Sequence, residues 1–234
     1  MSERPKTVGV LGGMGPAATL DFFQRVLNAS NATRDSDHIR LIIDCNPFVP
    51  YRNAAVAGTG PSSGPELADM ARGLERAGAQ LLVMPCNTAH AFAAGIQKAT
   101  QLPLLSIIDA TVAALRSKSM SPRSAGVLAT TGCVDAGLYQ AALSNAGIAV
   151  VLPDAQNRER FMRVLGRIKA GETGPSSKAE MRAIARSLMA DGAESLIAAC
   201  TEVPLVLEQA DVEVPLLNST DCLVEATIAA TRAR

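Results

Sequence analysis

Two short segments each combine a cysteine with hydroxyl and ionisable side chains. Residues 84–90 read MPCNTAH after the apolar run AQLLV, and residues 198–204 read AACTEVP after ESLI. A free thiol has a reference pKa of about 8.5, so a modest downward shift makes one cysteine a base at neutral pH while a second stays protonated. Cys86 and Cys200 therefore predict an acid and a base that exchange protons with one carbon atom.

The other cysteines do not form a comparable pattern. The chain has five cysteines and two histidines, without the close Cys/His spacing of a structural zinc site, so we expect no metal. Cys45 and Cys133 fall near predicted strand ends and could line a pocket without reacting. Cys222 lies in an apolar helical pattern and is expected in the core.

The elements that position these residues alternate between short apolar runs and amphipathic helical patterns. Stretches such as 18–29, 66–78, 181–192 and the C-terminal 221–234 have helical periodicity. Continuous apolar runs are typical of parallel strands buried on both faces. The predicted strands are 7–11, 39–44, 79–84, 103–107, 124–130, 148–153, 194–199 and 214–218. The pattern predicts an α/β protein with parallel sheets.

The second half of the chain repeats short motifs of the first half in the same order. GVL at 9–11 recurs at 126–128, GA at 78–79 at 192–193, Cys86 as Cys200, and PLL at 103–105 at 215–217. The offsets of 117, 114, 114 and 112 residues drift slowly, as after a few loop deletions. We infer an internal duplication, with two similar lobes related by a pseudo-twofold axis. The predicted lobes are 1–105 plus 214–234, and 106–213, with an active site in the cleft between them.

Both cysteines are predicted at the carboxyl ends of strands, where open α/β sheets bind ligands. Asn87 or Thr88 could cap a helix after Cys86, while Thr201 is a cap candidate after Cys200 and Pro204 suits a first helical turn. A helix N-terminus favours a thiolate and binds carboxylates. Proton removal on one face of a bound carbon and return on the other is the predicted chemistry.

Composition excludes several other classes of protein. Lys plus Arg and Asp plus Glu both total 22, so no charge excess points to nucleic acid or a membrane surface as a partner. We expect a cytoplasmic protein, because neither a signal peptide nor a membrane-spanning run is apparent. The loop Gly12-Gly13-Met14-Gly15 follows a strand, but Asp44 lies 29 residues beyond Gly15, too far for a dinucleotide-binding fingerprint.

The motifs LGGMGPAAT, MPCNTAH and AACTEVPL resemble those of the aspartate/glutamate racemase superfamily, and in combination most resemble its aspartate racemase branch. The resemblance spans nearly the whole chain. It implies racemisation of L- and D-aspartate, or of glutamate or a related acidic amino acid, without pyridoxal phosphate or any other cofactor. It also implies that the protein is a homodimer and that its substrate is a small dicarboxylic amino acid.

The resemblance also implies roles for individual residues. Cys86 and Cys200 would be the catalytic thiols, and Asn87, Thr88 and Thr201 would hold the α-carboxylate. Arg52 and Lys169 would bind the distal carboxylate. The remaining expected pocket residues are Met14, Thr130 and Thr131, with His90, Glu202 and Tyr51 as neighbours that tune the site. Tyr51 stands where the family pattern NPxxPDR has aspartate, which alters the segment next to Arg52.

Two other readings stay open on the sequence. Maleate isomerase-like or hydantoin racemase-like chemistry would also use two cysteines in this fold. A small-carboxylate-binding relative without turnover is the alternative from another class, although a binding protein has no need of a proton donor and acceptor at matching positions.

Overall fold

The computed structural model of the protein describes residues 5–117 and 122–232. These residues separate into two compact units. The described parts of Met1–Ala110 and Thr220–Arg234 form the first unit, and those of Thr111–Ser219 form the second. Each unit contains one four-stranded parallel sheet with flanking helices, which confirms the predicted fold class.

The first sheet has the strand order β2-β1-β3-β4. Its strands are β1 (Val8–Gly12), β2 (Leu41–Cys45), β3 (Leu81–Val83) and β4 (Leu104–Leu105). Its helices are α1 (Pro16–Ala29), α2 (Arg52–Val56), α3 (Gly64–Arg76) and α4 (Ala93–Ala99). Helix α5 (Ile107–Ser117) leads into the second unit. Every residue of β1 and β3 is buried, as expected for central strands with both faces covered.

The second sheet repeats this order as β6-β5-β7-β8. Its strands are β5 (Ser124–Leu128), β6 (Ala149–Val151), β7 (Leu196–Ala198) and β8 (Leu216–Asn218). Its helices are α6 (Thr131–Asp135), α7 (Leu138–Asn145), α8 (Ala155–Lys169) and α9 (Pro175–Ala190), and α10 (Ser219–Arg232) returns the chain to the first unit. All eight predicted strands are present, with ends that differ by at most two residues.

Equivalent glycines show that the two units share their internal packing. Gly9 of β1 pairs with Leu82, and Gly126 of β5 pairs with Leu196. A Cβ atom on Gly9 would contact side chains of Leu74, Ala79 and Leu82, and one on Gly126 would contact Leu188, Ala193 and Leu196. Each contacting residue around Gly126 is numbered 114 higher than its counterpart around Gly9. The helix before the third strand therefore packs against the same strand position in both sheets.

Two glutamines provide a second match between the units. Gln97 donates to the Leu102 carbonyl and accepts the Leu104 backbone N–H, at 2.9 and 3.3 Å. Gln209 does the same with Val214 and Leu216, at 3.0 and 2.8 Å. Each amide thereby fixes the entry of the fourth strand. These matched contacts support the internal duplication.

Both boundaries of the predicted lobe division differ from the structure, in which residues 106–110 belong to the first unit and residues 214–219 to the second. The sequence predicts residues 214–218 in the first lobe, but β8 pairs with β7, so this strand belongs to the second sheet. The chain returns to the first unit only at Thr220. Helix α10 then contacts α1 and its C-cap through an Arg25–Asp221 ion pair at 2.6 Å and a bond from Arg232 to the Ser30 carbonyl at 3.1 Å.

Across the described residues, none of the helices combines the length and the apolar character required to span a membrane.

Candidate active site

The glycine-rich loop after β1 is held by close backbone packing. Gly13 has a φ of +88°, and a Cβ atom there would lie 2.3 Å from the Asn46 carbonyl carbon. The Gly13 backbone N–H donates to Thr19 Oγ1 at 2.8 Å. Only glycine combines this φ with such close approach. The loop places the buried Met14 at the carboxyl edge of the first sheet.

Arg52, at the start of α2, ties the loop after β2 to the glycine-rich loop. Its Nη1 donates to the carbonyls of Val49 and Pro50 at 3.0 and 3.1 Å, and its Nη2 donates to the Met14 carbonyl at 3.4 Å. Carbonyl groups orient the guanidinium without neutralising its charge. Arg52 is therefore a half-buried, positioned cation beside Met14.

Tyr51 points away from the sheet core. Its side chain is 53% exposed, and its hydroxyl accepts a hydrogen bond from Asn53 Nδ2 at 2.8 Å. The preceding segment is organised by Asn46, whose side chain accepts the Phe48 backbone N–H at 2.9 Å and donates to Glu66 at 2.7 Å. Asn46 was not predicted as a functional residue, although an asparagine that precedes proline after a strand is a typical loop-organising signal.

Cys86 lies three residues beyond β3, is buried, and has Met14 and Arg52 in the neighbouring loops of the same sheet edge. Its backbone N–H donates to the Met84 carbonyl at 2.8 Å. A 3₁₀-helix, Thr88–Phe92, follows before α4 begins, and the Asn87 side chain does not cap it. The predicted α-helix directly after Cys86 is wrong, because the chain first makes this tight turn. A five-residue 3₁₀-helix supplies a weaker dipole than a full α-helix.

His90 connects Cys86 to the start of α5. The imidazole is buried, its Nδ1 lies 2.9 Å from the Cys86 carbonyl oxygen, and its Nε2 lies 3.2 Å from the Ile107 backbone nitrogen. Because a backbone N–H can only donate, Nε2 accepts and Nδ1 carries the proton that is donated to Cys86. Burial lowers the pKa of His90 to about 4, so the ring is neutral at physiological pH.

The second sheet presents its own set of residues at the equivalent edge. Thr130 caps α6 by accepting the Cys133 backbone N–H at 3.3 Å, and the Thr131 backbone N–H faces the Met162 sulfur at 3.5 Å. A surface pocket of about 500 Å³ opens beside Thr131, lined also by Pro153, Ala155, Arg158 and Glu159. Thr130 and Thr131 follow β5, which pairs with β7, the strand that leads to Cys200.

Cys200 is buried at the end of β7 and contacts Glu202. Its Sγ donates to Glu202 Oε2 at 3.0 Å, and the Thr201 hydroxyl donates to the same oxygen at 3.0 Å. The other oxygen, Oε1, lies 3.6 Å from Nζ of Lys169, the last residue of α8. The structure thus brings Cys200, Thr201, Glu202 and Lys169 together.

The environment of Cys200 differs from the prediction. We expected a helix N-terminus to favour the thiolate, but Cys200 is followed by a three-residue 3₁₀-helix, Val203–Leu205, with Pro204 in its first turn and Glu202 rather than Thr201 at the cap position. Burial raises the pKa of the Cys200 thiol well above its ordinary value, and the charge of Glu202 adds to this effect, while Lys169 opposes it. Cys200 is a protonated thiol at neutral pH.

The remaining cysteines have the predicted surroundings in part. Cys222 is buried in α10, as expected, and Cys133 is buried in α6 beside Thr130. Cys45 is exposed at the end of β2. None of the five cysteines, all of which lie in the described residues, forms a disulfide.

The two four-stranded parallel sheets have the same strand order, and in each unit a buried cysteine follows the third strand. The chain is therefore a duplicated α/β protein with one such thiol in each unit. The sequence matches the Asp/Glu/Hydantoin racemase family over residues 11–227, and the chain belongs to that family. This result confirms the predicted family and the predicted enzyme class, an amino-acid racemase.

Individual relatives match along nearly their whole length. A broad-specificity amino-acid racemase of Bacillus subtilis is 26% identical over 228 residues, which is 94% of this chain and 96% of the relative. The Picrophilus torridus aspartate racemase structure superimposes with a TM-score of 0.86 at 27% identity, covering 98% of this chain and 95% of that one. An aspartate racemase homologue of Pyrococcus horikoshii gives 0.80 at 26% identity, covering 97% of this chain and 100% of that one.

Proposed function

We propose that this protein racemises an acidic amino acid, with aspartate as the first candidate, by proton transfer between the α-carbon and the thiols of Cys86 and Cys200. The observation that supports this proposal is the equivalence of the two cysteines. Each is buried and follows the third strand of a sheet with the same order and the same internal packing. A duplication that retains a thiol in both halves suits a reaction with a donor and an acceptor.

In the proposed reaction, one cysteine thiolate takes the α-proton, so that a C–H bond breaks and an S–H bond forms. The other cysteine returns its own proton to the opposite face of the carbon and becomes the thiolate. The protons balance, and no external acid is consumed. Each turnover leaves the two thiols with exchanged protonation states, ready for the opposite enantiomer.

Charge that develops on the substrate carboxylate needs preorganised donors in a site that excludes water. We assign this role to Asn87, Thr88 and Thr201, which adjoin the two cysteines and are buried. Met14, Thr130 and Thr131 would form the walls of the pocket. Their positions at the carboxyl edges of the two sheets support this assignment.

The preference for an acidic substrate is proposed from Arg52 and Lys169. Arg52 is oriented by backbone carbonyls and keeps its charge, whereas Lys169 is paired with Glu202 at 3.6 Å. A distal carboxylate would gain from both cations, since hydrogen bonds between ions are stronger than neutral ones. The names of the Picrophilus and Bacillus relatives support aspartate and a wider amino-acid range, respectively.

We also propose a homodimer and a cytoplasmic location. The homodimer rests on the family resemblance. The location rests on five cysteines without a disulfide, which is typical of a reducing compartment.

The test is proton NMR of the purified protein in D₂O without added cofactor, in parallel with L-aspartate, L-glutamate and L-alanine, combined with chiral analysis. We expect loss of the α-proton signal together with formation of D-aspartate. Exchange with alanine but not with aspartate would contradict the assigned roles of Arg52 and Lys169. No exchange with any of the three would contradict the proposed function and favour the hydantoin, maleate or binding-protein alternatives.

A further inference from the structure

The duplication allows a direct comparison of the residues that follow the two thiols. With the offset of 114 residues, Cys200 corresponds to Cys86, Thr201 to Asn87 and Glu202 to Thr88. The first half therefore has a hydroxyl where the second half has a carboxylate. The two thiols share their place in the fold but differ in the charge beside them.

The carboxylate is positioned on the Cys200 thiol by several contacts. Glu202 Oε2 accepts hydrogen bonds from Cys200 Sγ and from the Thr201 hydroxyl, both at 3.0 Å. Lys169 holds the other oxygen at 3.6 Å, and the Glu202 side chain is only 13% exposed. Because an ionised carboxylate only accepts hydrogen bonds, a thiol in this contact keeps its proton.

We propose that Glu202 keeps Cys200 protonated in the enzyme before substrate binds, so that Cys200 is the acid and Cys86 is the base. Glu202 thereby sets the direction of proton transfer for the enantiomer that this form of the enzyme binds. This inference rests on the proposed function. It makes Glu202 a positioning residue that acts through Cys200.

The charged groups that act on Cys200 within its unit are Glu202, which follows it, and Lys169 of α8. Burial raises the pKa of Cys200 most, Glu202 raises it further, and Lys169 lowers it. When the distal carboxylate of a substrate draws Lys169 away from Glu202, the one charge that lowers the pKa of Cys200 is removed, so Cys200 holds its proton more tightly. Binding of an acidic substrate would then reinforce the role of Cys200 as the acid.

Steady-state rates alone do not reveal this asymmetry. A racemisation has an equilibrium constant of one, so kcat/KM is equal for the two enantiomers whatever the protonation state of the free enzyme. The asymmetry has to be measured on the thiols themselves. Since the thiolate is the reactive form, alkylation as a function of pH reports the protonation of each cysteine.

The experiment is iodoacetamide alkylation of the intact protein between pH 6 and 10, with each cysteine followed in its own peptide by mass spectrometry. We expect Cys200 of the wild type to react with a higher pH midpoint than Cys86. Glu202→Gln keeps the shape and an acceptor oxygen but removes the charge, and Glu202→Thr installs the residue type of the other half. Both variants should alkylate at Cys200 at least about tenfold faster at neutral pH, because a unit charge at 3.0 Å changes proton affinity by that factor even in water.

Two controls accompany these variants. Glu172→Gln removes an exposed carboxylate of the same unit and should leave the Cys200 profile unchanged. Cys133, which is only 1% exposed, should stay unreactive in every variant, which shows that the fold is intact.

An unchanged Cys200 profile in Glu202→Gln, with Cys133 protected, would overturn the inference. So would a wild-type Cys200 that reacts at lower pH than Cys86. Alkylation needs no turnover, so these outcomes are separate from the fate of the proposed function. A protein that racemises aspartate but shows no effect of Glu202 would refute this inference alone.

Discussion

His90 offers the sharpest test of how the Cys86 loop is held. Its neutral ring donates to the Cys86 carbonyl and accepts from the Ile107 backbone N–H. The pKa of the buried ring is about 4, against a reference of about 6.5 for an unfolded histidine. Between these values the unfolded chain binds one more proton than the folded chain, so acid destabilises the fold.

The sign and the size of this effect follow from linkage. A lowered folded-state pKa contributes stability that is fully present above about pH 6.5 and is lost as the pH falls toward 4. Within this window each pH unit changes the free energy of unfolding by about 1.4 kcal/mol, so the total change is about 3 kcal/mol. Lowering the pH from 7 to 4.5 should therefore cost roughly 2–3 kcal/mol through His90 alone.

The assay is urea unfolding, followed by circular dichroism at pH 7 and pH 4.5, of the wild type, His90→Gln and His38→Gln. His90→Gln should lose roughly 2–3 kcal/mol less stability than the wild type between the two pH values. At pH 7 the variant should be about 1–3 kcal/mol less stable than the wild type, because a buried hydrogen bond is lost. His38→Gln is the matched control, because it removes the only other histidine and leaves His90 in place. An equal acid sensitivity in His90→Gln and the wild type would refute this account.

Three further substitutions test the loops and the helix that carry the site. Gly13→Ala should lower the free energy of unfolding in urea by at least about 3 kcal/mol, because Gly13 has a φ of +88° and approaches Asn46 closely. Gly58→Ala, at a φ of +69° in open space, should lower it by about 1 kcal/mol. Equal losses would contradict the packing argument. Arg52→Lys should raise the KM for aspartate at least about tenfold, because lysine cannot hold three carbonyls and a carboxylate at once; an unchanged KM would remove Arg52 from substrate binding. Asp154→Ala should lower stability by about 1 kcal/mol through loss of the α8 cap, and Asp154→Asn should restore most of it; equal melting curves for both variants would argue against a capping role.

Much of the fold could be predicted because parallel strands buried on both faces produce continuous apolar runs. The eight strands, the duplication and the positions of Cys86 and Cys200 at strand ends all follow from such local patterns. The assignment of residues 214–218 failed for the same reason. An apolar run fits either sheet, and only its pairing with β7 shows which one it joins.

The contacts within the site depend on tertiary packing and were less predictable. The sequence suggested α-helices after both cysteines, but the chain makes short 3₁₀ turns at Thr88–Phe92 and Val203–Leu205. A helical cap and a tight turn use similar residue types, so the motifs alone do not separate them. The contacts of Glu202 with Cys200 and Lys169 join a loop to the far end of α8, and no sequence spacing indicates that approach.

The central claim is that two thiols act on one α-carbon, and the most direct measurement is deuterium incorporation by Cys86→Ser and Cys200→Ser. Each variant is incubated in D₂O with L-aspartate and, separately, with D-aspartate, and the α-proton signal is followed together with the enantiomeric composition. We predict that both variants lose racemisation and that neither exchanges the α-proton of more than one enantiomer. Full racemisation by either variant would contradict the two-thiol mechanism.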